Sequence, residues 1–188
     1  MRKIILASAS PWRKILLERA GIQFEVEVSG HDEILNQKLS PKKLVMQLAL
    51  EKARAVALRH PNALIIGVDT VAVFRKRILG KPESAARAKK LLAELSDKEH
   101  KLVTGFVIID TKSGKTVARA EETKVWFRKL TQKEIDSYVK TGEPLTVAGG
   151  YGIQGGGASF ARKIEGDFYT IVGLPLAAVI EELRKLGV

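Results

Sequence analysis

The sequence predicts a mixed α/β domain, on three observations. Apolar runs of strand length alternate with stretches of helical periodicity. Helix starts are marked at Ser10, Ser40, Ser84 and Thr131, with proline at the first helical position after Ser10 and Ser40. A polar segment, Asp110 to Lys115, separates two long β-type runs and contains the glycine that a hairpin turn favours.

Taken in order, Lys3 to Ala7 is a short apolar strand, and the chain restarts at Ser10-Pro11 as an amphipathic helix. Phe24 to Val28 is a second strand candidate, and a helix follows Ser40-Pro41. Ala63 to Phe74 is a long, nearly continuous apolar run of the kind buried on both faces. Ser84 caps the next helix. Lys101 to Asp110 and Thr116 to Phe127 are the hairpin strands, and Thr131 caps a helix after them. Phe168 to Val172, all aromatic or β-branched, reads as a last strand, and Leu176 to Leu186 as a closing helix. With no repeat, low-complexity tract or linker, residues 1–188 read as one domain.

Composition narrows the function. A chain 45% hydrophobic and 28% charged buries a core and is not disordered. No apolar run approaches the roughly 18 residues that span a bilayer, and the opening residues lack the apolar core of a secretory signal, so a cytoplasmic protein without membrane contact is expected. The absence of cysteine excludes disulfides, a thiol nucleophile and thiolate metal sites, and three scattered histidines do not make a metal cage. Any metal must be held by oxygen. The net charge of +11 fits a polyanionic partner, either nucleic acid or a phosphorylated small molecule, although many of the basic residues lie on polar helix faces.

Several residues do not fit a purely structural pattern. On the helix after Ser40, residues Leu44, Val45, Leu48, Ala49, Ala53 and Val56 form one apolar arc, and Lys52 falls in its middle. Asp69 interrupts the apolar run "ALIIGVDTVAVF", where a carboxylate costs several kcal/mol unless it is paired, protonated or metal-bound. Lys81 stands in the turn "LGKP", which resembles the end of a phosphate-binding loop but lacks its Ser or Thr and its first glycine. Gly150, Gly152 and Gly155 match the spacing of a dinucleotide fingerprint, yet no helix-forming sequence follows, so the glycines suit a loop that approaches a flat ligand, with the Gln154 amide available to it. Ser8, Ser10 and Arg13 surround the start of the first helix, where unpaired N–H groups favour anions.

These residues carry a resemblance. "LASASPWRKILL" resembles the S-x-S-P-x-R signature of the Maf family of nucleoside triphosphate pyrophosphatases, and "LALEKA", "GVDTV", "LGKP", "AGGYGIQG" and "VGLPL" follow in the family's order over nearly the whole chain. The resemblance implies an elongated mixed sheet flanked by helices, with two lobes around a deep cleft, similar to inosine-triphosphate pyrophosphatases. It implies Mg²⁺- or Mn²⁺-dependent hydrolysis of a nucleoside triphosphate to the monophosphate and pyrophosphate, a link to cell division, and a homodimer as one possible state. Ser8, Ser10, Arg13, Lys52 and Lys81 correspond to the phosphate-binding positions. Glu33 and Asp69 correspond to the metal-binding ones, with Asp69 also the candidate for activating water.

Base preference divides the family. Thr70 and Gln154 are similar to the branch acting on dTTP and UTP, which usually has a second arginine where this chain has Trp12. A tryptophan there resembles the branch acting on 7-methyl-GTP. The hybrid set implies that dTTP and UTP lead, with relaxed selectivity. A basic nucleic-acid-binding module is the rival reading, but aromatics make up only 6% of the chain and do not interleave with a basic stripe, so no stable nucleic-acid binding is expected.

Overall fold

The computed structural model describes residues 2–30 and 39–188. The chain folds as two compact units, one from Met1–Asp69, Thr104–Glu121 and Gly173–Val188, the other from Thr70–Val103 and Glu122–Val172.

In the first unit, β1 (Lys3–Ala7) pairs in parallel with the opening half of β3 (Ala63–Phe74), with Ala7 opposite Gly67, and also with the short β2 (Glu25–Val26). The helix α1 (Pro11–Arg19) follows β1 directly, and α2 (Pro41–Ala57) precedes β3. Proline opens both helices, but neither Ser10 nor Ser40 closes a side-chain cap bond. The apolar arc expected for α2 is buried as read, Lys52 included. Its Ala49, Ala53 and Val56 pack on Ile5 and Ala7 of β1, Ala63 and Ile65 of β3, and Val107 of β5 (Glu99–Asp110).

These β3 residues alternate, as side chains on one face of a strand must, and the same face continues through Gly67 to Asp69. Two glycines let α2 lie directly on it. A methyl at Gly67 would overlap the Ala49 carbonyl oxygen and approach Ala53 Cβ at 2.9 Å, and one at Gly105 would lie 2.7 Å from Val45 Cγ2. The hairpin from β5 to β6 (Thr116–Phe127) turns where expected: Asp110 accepts the Lys112 and Ser113 N–H groups and the Ser113 hydroxyl, which holds its carboxyl well below the usual range, and Arg2 pairs with it. The helix α6 (Leu176–Lys185) closes the chain, its Glu181 and Glu182 bonded by Arg119 of β6.

In the second unit, the far half of β3 pairs antiparallel with β4 (Arg77–Leu79), and β6 with β7 (Ala161–Glu165). The sheet order among the described residues is β2-β1-β3-β5-β6-β7, with β4 beside β3. Mixed pairing with helices packed on it matches the predicted class. The helix α3 (Ala85–Leu95) is capped by Ser84, whose hydroxyl accepts from Arg87 N–H, and α4 (Gln132–Lys140) by a reciprocal box between Thr131 and Glu134.

Phe168–Val172 is a short helix, α5, not the strand its composition predicted. The reason is Asp167, whose carboxylate accepts the Tyr169 and Thr170 N–H groups and the Thr170 hydroxyl. Capping bonds outweigh a weak β propensity over so few residues.

An aromatic cluster sits at the centre of this unit: the His100 ring stands edge-on to Phe127, with centroids 4.7 Å apart, and its Nε2 lies 2.8 Å from the Tyr151 hydroxyl. His100 Nδ1 is buried without a partner among the described residues.

Two outcomes test this packing. Gly67→Ala should lower the urea midpoint by the equivalent of about 3 kcal/mol, the upper end of the usual overpacking range, because the overlap is with backbone that cannot swing aside. Burial holds the His100 imidazole down at about 4 from 6.5. Between those values the unfolded chain binds a proton that the folded chain refuses, so stability is complete above pH 6.5 and falls as pH drops towards 4, by about 3 kcal/mol in full. Urea titrations of wild type and His100→Phe from pH 7 to 4 should show that extra loss in wild type alone.

Candidate active site

The two misfits of the sequence are partners. Lys52 Nζ donates to Asp69 Oδ1 at 2.5 Å, and both residues are buried, at 8% and 5% exposure. The lysine does not snorkel to solvent, because the glycine-seated helix brings it over Asp69. Two desolvated partners in contact hold each other in place.

Arg13 is fixed beside them. Its Nη1 donates to the Ser8 hydroxyl at 2.9 Å and to the Val68 carbonyl at 3.0 Å, while Nε donates to the Gly173 carbonyl at 2.9 Å. Ser8 is buried and also accepts the Ser10 N–H at 3.3 Å. Ser8 therefore orients the arginine and the turn into α1. Ser8, Arg13, Lys52 and Asp69 thus gather in one unit, where parallel β1 ends beside β3. The carboxyl edge of parallel strands is where open α/β sheets place ligands. Trp12 is 40% exposed at the start of α1, so it is not packing into the core.

The second unit holds the remaining described residues. Lys81 is exposed in the turn before α3, and its neighbour Gly80 accepts the Gly149 N–H at 3.2 Å, which ties that turn to the glycine-rich segment. Gln154 is half-buried in that segment, with Nε2 3.4 Å from the Val172 carbonyl. Thr70 is the half-buried residue next to Asp69 on β3.

The glycines are not spent on a ligand alone. Added methyls would meet protein: Ala72 from Gly149, Pro82 from Gly150, and Glu143 from Gly152 and Gly155. Sequence reading missed Glu143 and Tyr138, which hold this segment. The signal was the "GEP" after α4, a carboxylate directly beyond a glycine with φ of 76°.

Glu33 lies outside the described residues. Among the described residues no three His, Asp or Glu side chains cluster as metal ligands. Asp69 offers a buried carboxylate at this place. That suits Mg²⁺, which is commonly held by one or two carboxylates together with substrate phosphates and water.

Comparison with known proteins identifies the family. Residues 3–186 match the model of the family described as Maf-like protein. A dTTP/UTP pyrophosphatase of Bacillus mycoides (strain KBAB4) is 50% identical over 98% of this chain and 96% of its own. One from Bacillus cereus (strain AH820) is 48% identical over 100% of this chain and 97% of its own. A HAM1 protein from Coxiella burnetii shares the fold, with TM-score 0.55 and 15% identity over 98% of this chain and 100% of that one. With the family match running almost end to end and relatives 50% and 48% identical over nearly the whole chain, the chain belongs to the Maf-like family.

Proposed function

We propose that this protein hydrolyses dTTP and UTP to the nucleoside monophosphate and pyrophosphate. The observation that carries the reading is the buried Lys52–Asp69 pair beside a rigidly held Arg13, an arrangement suited to a polyanion and to water activation. The substrate bases are those named for relatives 50% and 48% identical to this chain. The family's Mg²⁺ supplies, when bound, neutralisation of the phosphate oxygens, with Asp69 and Glu33 as the residues that would hold it.

Arg13 presents a guanidinium whose orientation is set by three acceptors, so little rotamer entropy is lost when a phosphate docks. The start of α1, from Ser10, adds the positive end of a helix. Lys52 holds Asp69 in place, and Lys81 is a further cation for the phosphates. Asp69 orients the attacking water and takes its proton; the new bond forms between water oxygen and the α-phosphorus, and the α–β bridge breaks, releasing pyrophosphate. Thr70 and Gln154 read the edge of the base. The substrate pool is that of the cytoplasm.

Exposed Trp12 supports a second preference. An indole face stacks on any base at about 1 to 3 kcal/mol, and a cationic methylated purine gains further from it. Relaxed selectivity therefore accompanies the pyrimidine preference.

Asp69→Asn should lower kcat by about 10² to 10⁴-fold, the range for losing an acid–base group. Asparagine still accepts from Lys52, so circular dichroism should show a folded but less stable protein. Wild type should yield monophosphate and pyrophosphate by chromatography; diphosphate and orthophosphate would overturn the reaction. A panel of UTP, dTTP, CTP, GTP and 7-methyl-GTP should show UTP and dTTP leading in wild type. Trp12→Arg should narrow the profile further, chiefly by weakening the purines about tenfold.

A further inference from the structure

The glycine-rich segment is shaped around one carboxylate. Glu143 opens the short turn Glu143–Thr146 just beyond α4, and its Oε2 accepts the Gly156 N–H at 3.1 Å. A methyl at Gly152 or Gly155 would run into its Oε1, and one at Gly155 would also lie 2.7 Å from Oε2. From α4, the Tyr138 hydroxyl accepts the Gly152 N–H at 2.9 Å, and its ring would stand 3.1 Å from a methyl on Gly156. Gln154 lies midway between these two anchored N–H groups. Its own bond, 3.4 Å long, is too weak to orient it. The direction of the Gln154 amide is therefore set by the backbone on either side.

We propose that Glu143 is a positioning residue for base recognition: seated in the hollow left by Gly152 and Gly155, it closes the turn that presents Gln154 to the nucleobase. This rests on Gln154 reading the base, as proposed above. An amide contributes to discrimination only when its donor and acceptor are held in register with the base edge, since a misaligned amide pairs equally well with water. Phosphate binding and water activation belong to other residues, so the effect falls on the choice of base.

The test compares Glu143→Ala, Glu143→Gln, Gly155→Ala and Gln154→Ala, reading amide exchange at Gly156 and the ratio of kcat/KM for UTP over CTP. Glu143→Ala should speed Gly156 exchange and cut the ratio about tenfold, mainly through KM, with kcat on saturating UTP nearly kept. Glu143→Gln, which keeps an acceptor of the same shape, should restore most of both. Gly155→Ala leaves Glu143 in the chain but fills its seat, and should copy Glu143→Ala. A Glu143→Ala protein with wild-type Gly156 exchange, or with an unchanged ratio while Gln154→Ala lowers it, overturns the proposal and leaves the reading of Gln154 intact. An unchanged ratio in Gln154→Ala overturns that reading, and the proposal with it.

Discussion

Everything at the candidate site depends on two opposite charges sharing a dry place. Desolvating either Lys52 or Asp69 alone costs several kcal/mol, and breaking such a pair by removing one partner typically costs 3 to 5 kcal/mol. The pair thus adds little net stability, but it constrains α2 and β3 to one relative placement. The apolar residues on either side of Lys52, namely Leu48, Ala49, Ala53 and Val56, provide the favourable burial that holds the helix down while the charges are in contact.

Arg13 is held in a different way. Its acceptors include two backbone carbonyls, Val68 and Gly173, far apart in sequence. These carbonyls, with the Ser8 hydroxyl, take away the guanidinium's freedom to rotate. Lys52 has its charge offset by Asp69, whereas Arg13 has its direction fixed. The two cations are therefore held differently: one lies against a buried carboxylate, the other is oriented by backbone carbonyls.

Much of this was legible in the sequence, for a physical reason. Lys52 in an apolar arc and Asp69 in an apolar strand each violate the pattern expected of a core, and a violation in a foldable sequence requires compensation nearby. Strong helix starts at Thr131 and Ser84 were equally plain, because cap chemistry is local. Other features were not. Phe168–Val172 has strand composition, and only the reach of the Asp167 side chain makes it helical. The carbonyls that hold Arg13 leave no trace in residue identity, since every residue carries one. The glycines after Gly149 signalled close approach, but their sequence could not say that much of the approaching matter was Glu143, thirteen residues from Gly156. The division into two compact units is likewise unmarked in the sequence, because long strands contribute to both without any change in loop composition.

The glycine seat under α2 has an evolutionary consequence. Gly67 and Gly105 set the spacing between helix and sheet by backbone contact, so exchanges among the larger apolar side chains can accumulate without moving Lys52 relative to Asp69. Trp12 at the surface, and Thr70 and Gln154 at half-burial, lie outside that constraint. Substitutions at such accessible side chains therefore leave the spacing of α2 from the sheet, and with it the Lys52–Asp69 contact, as it was.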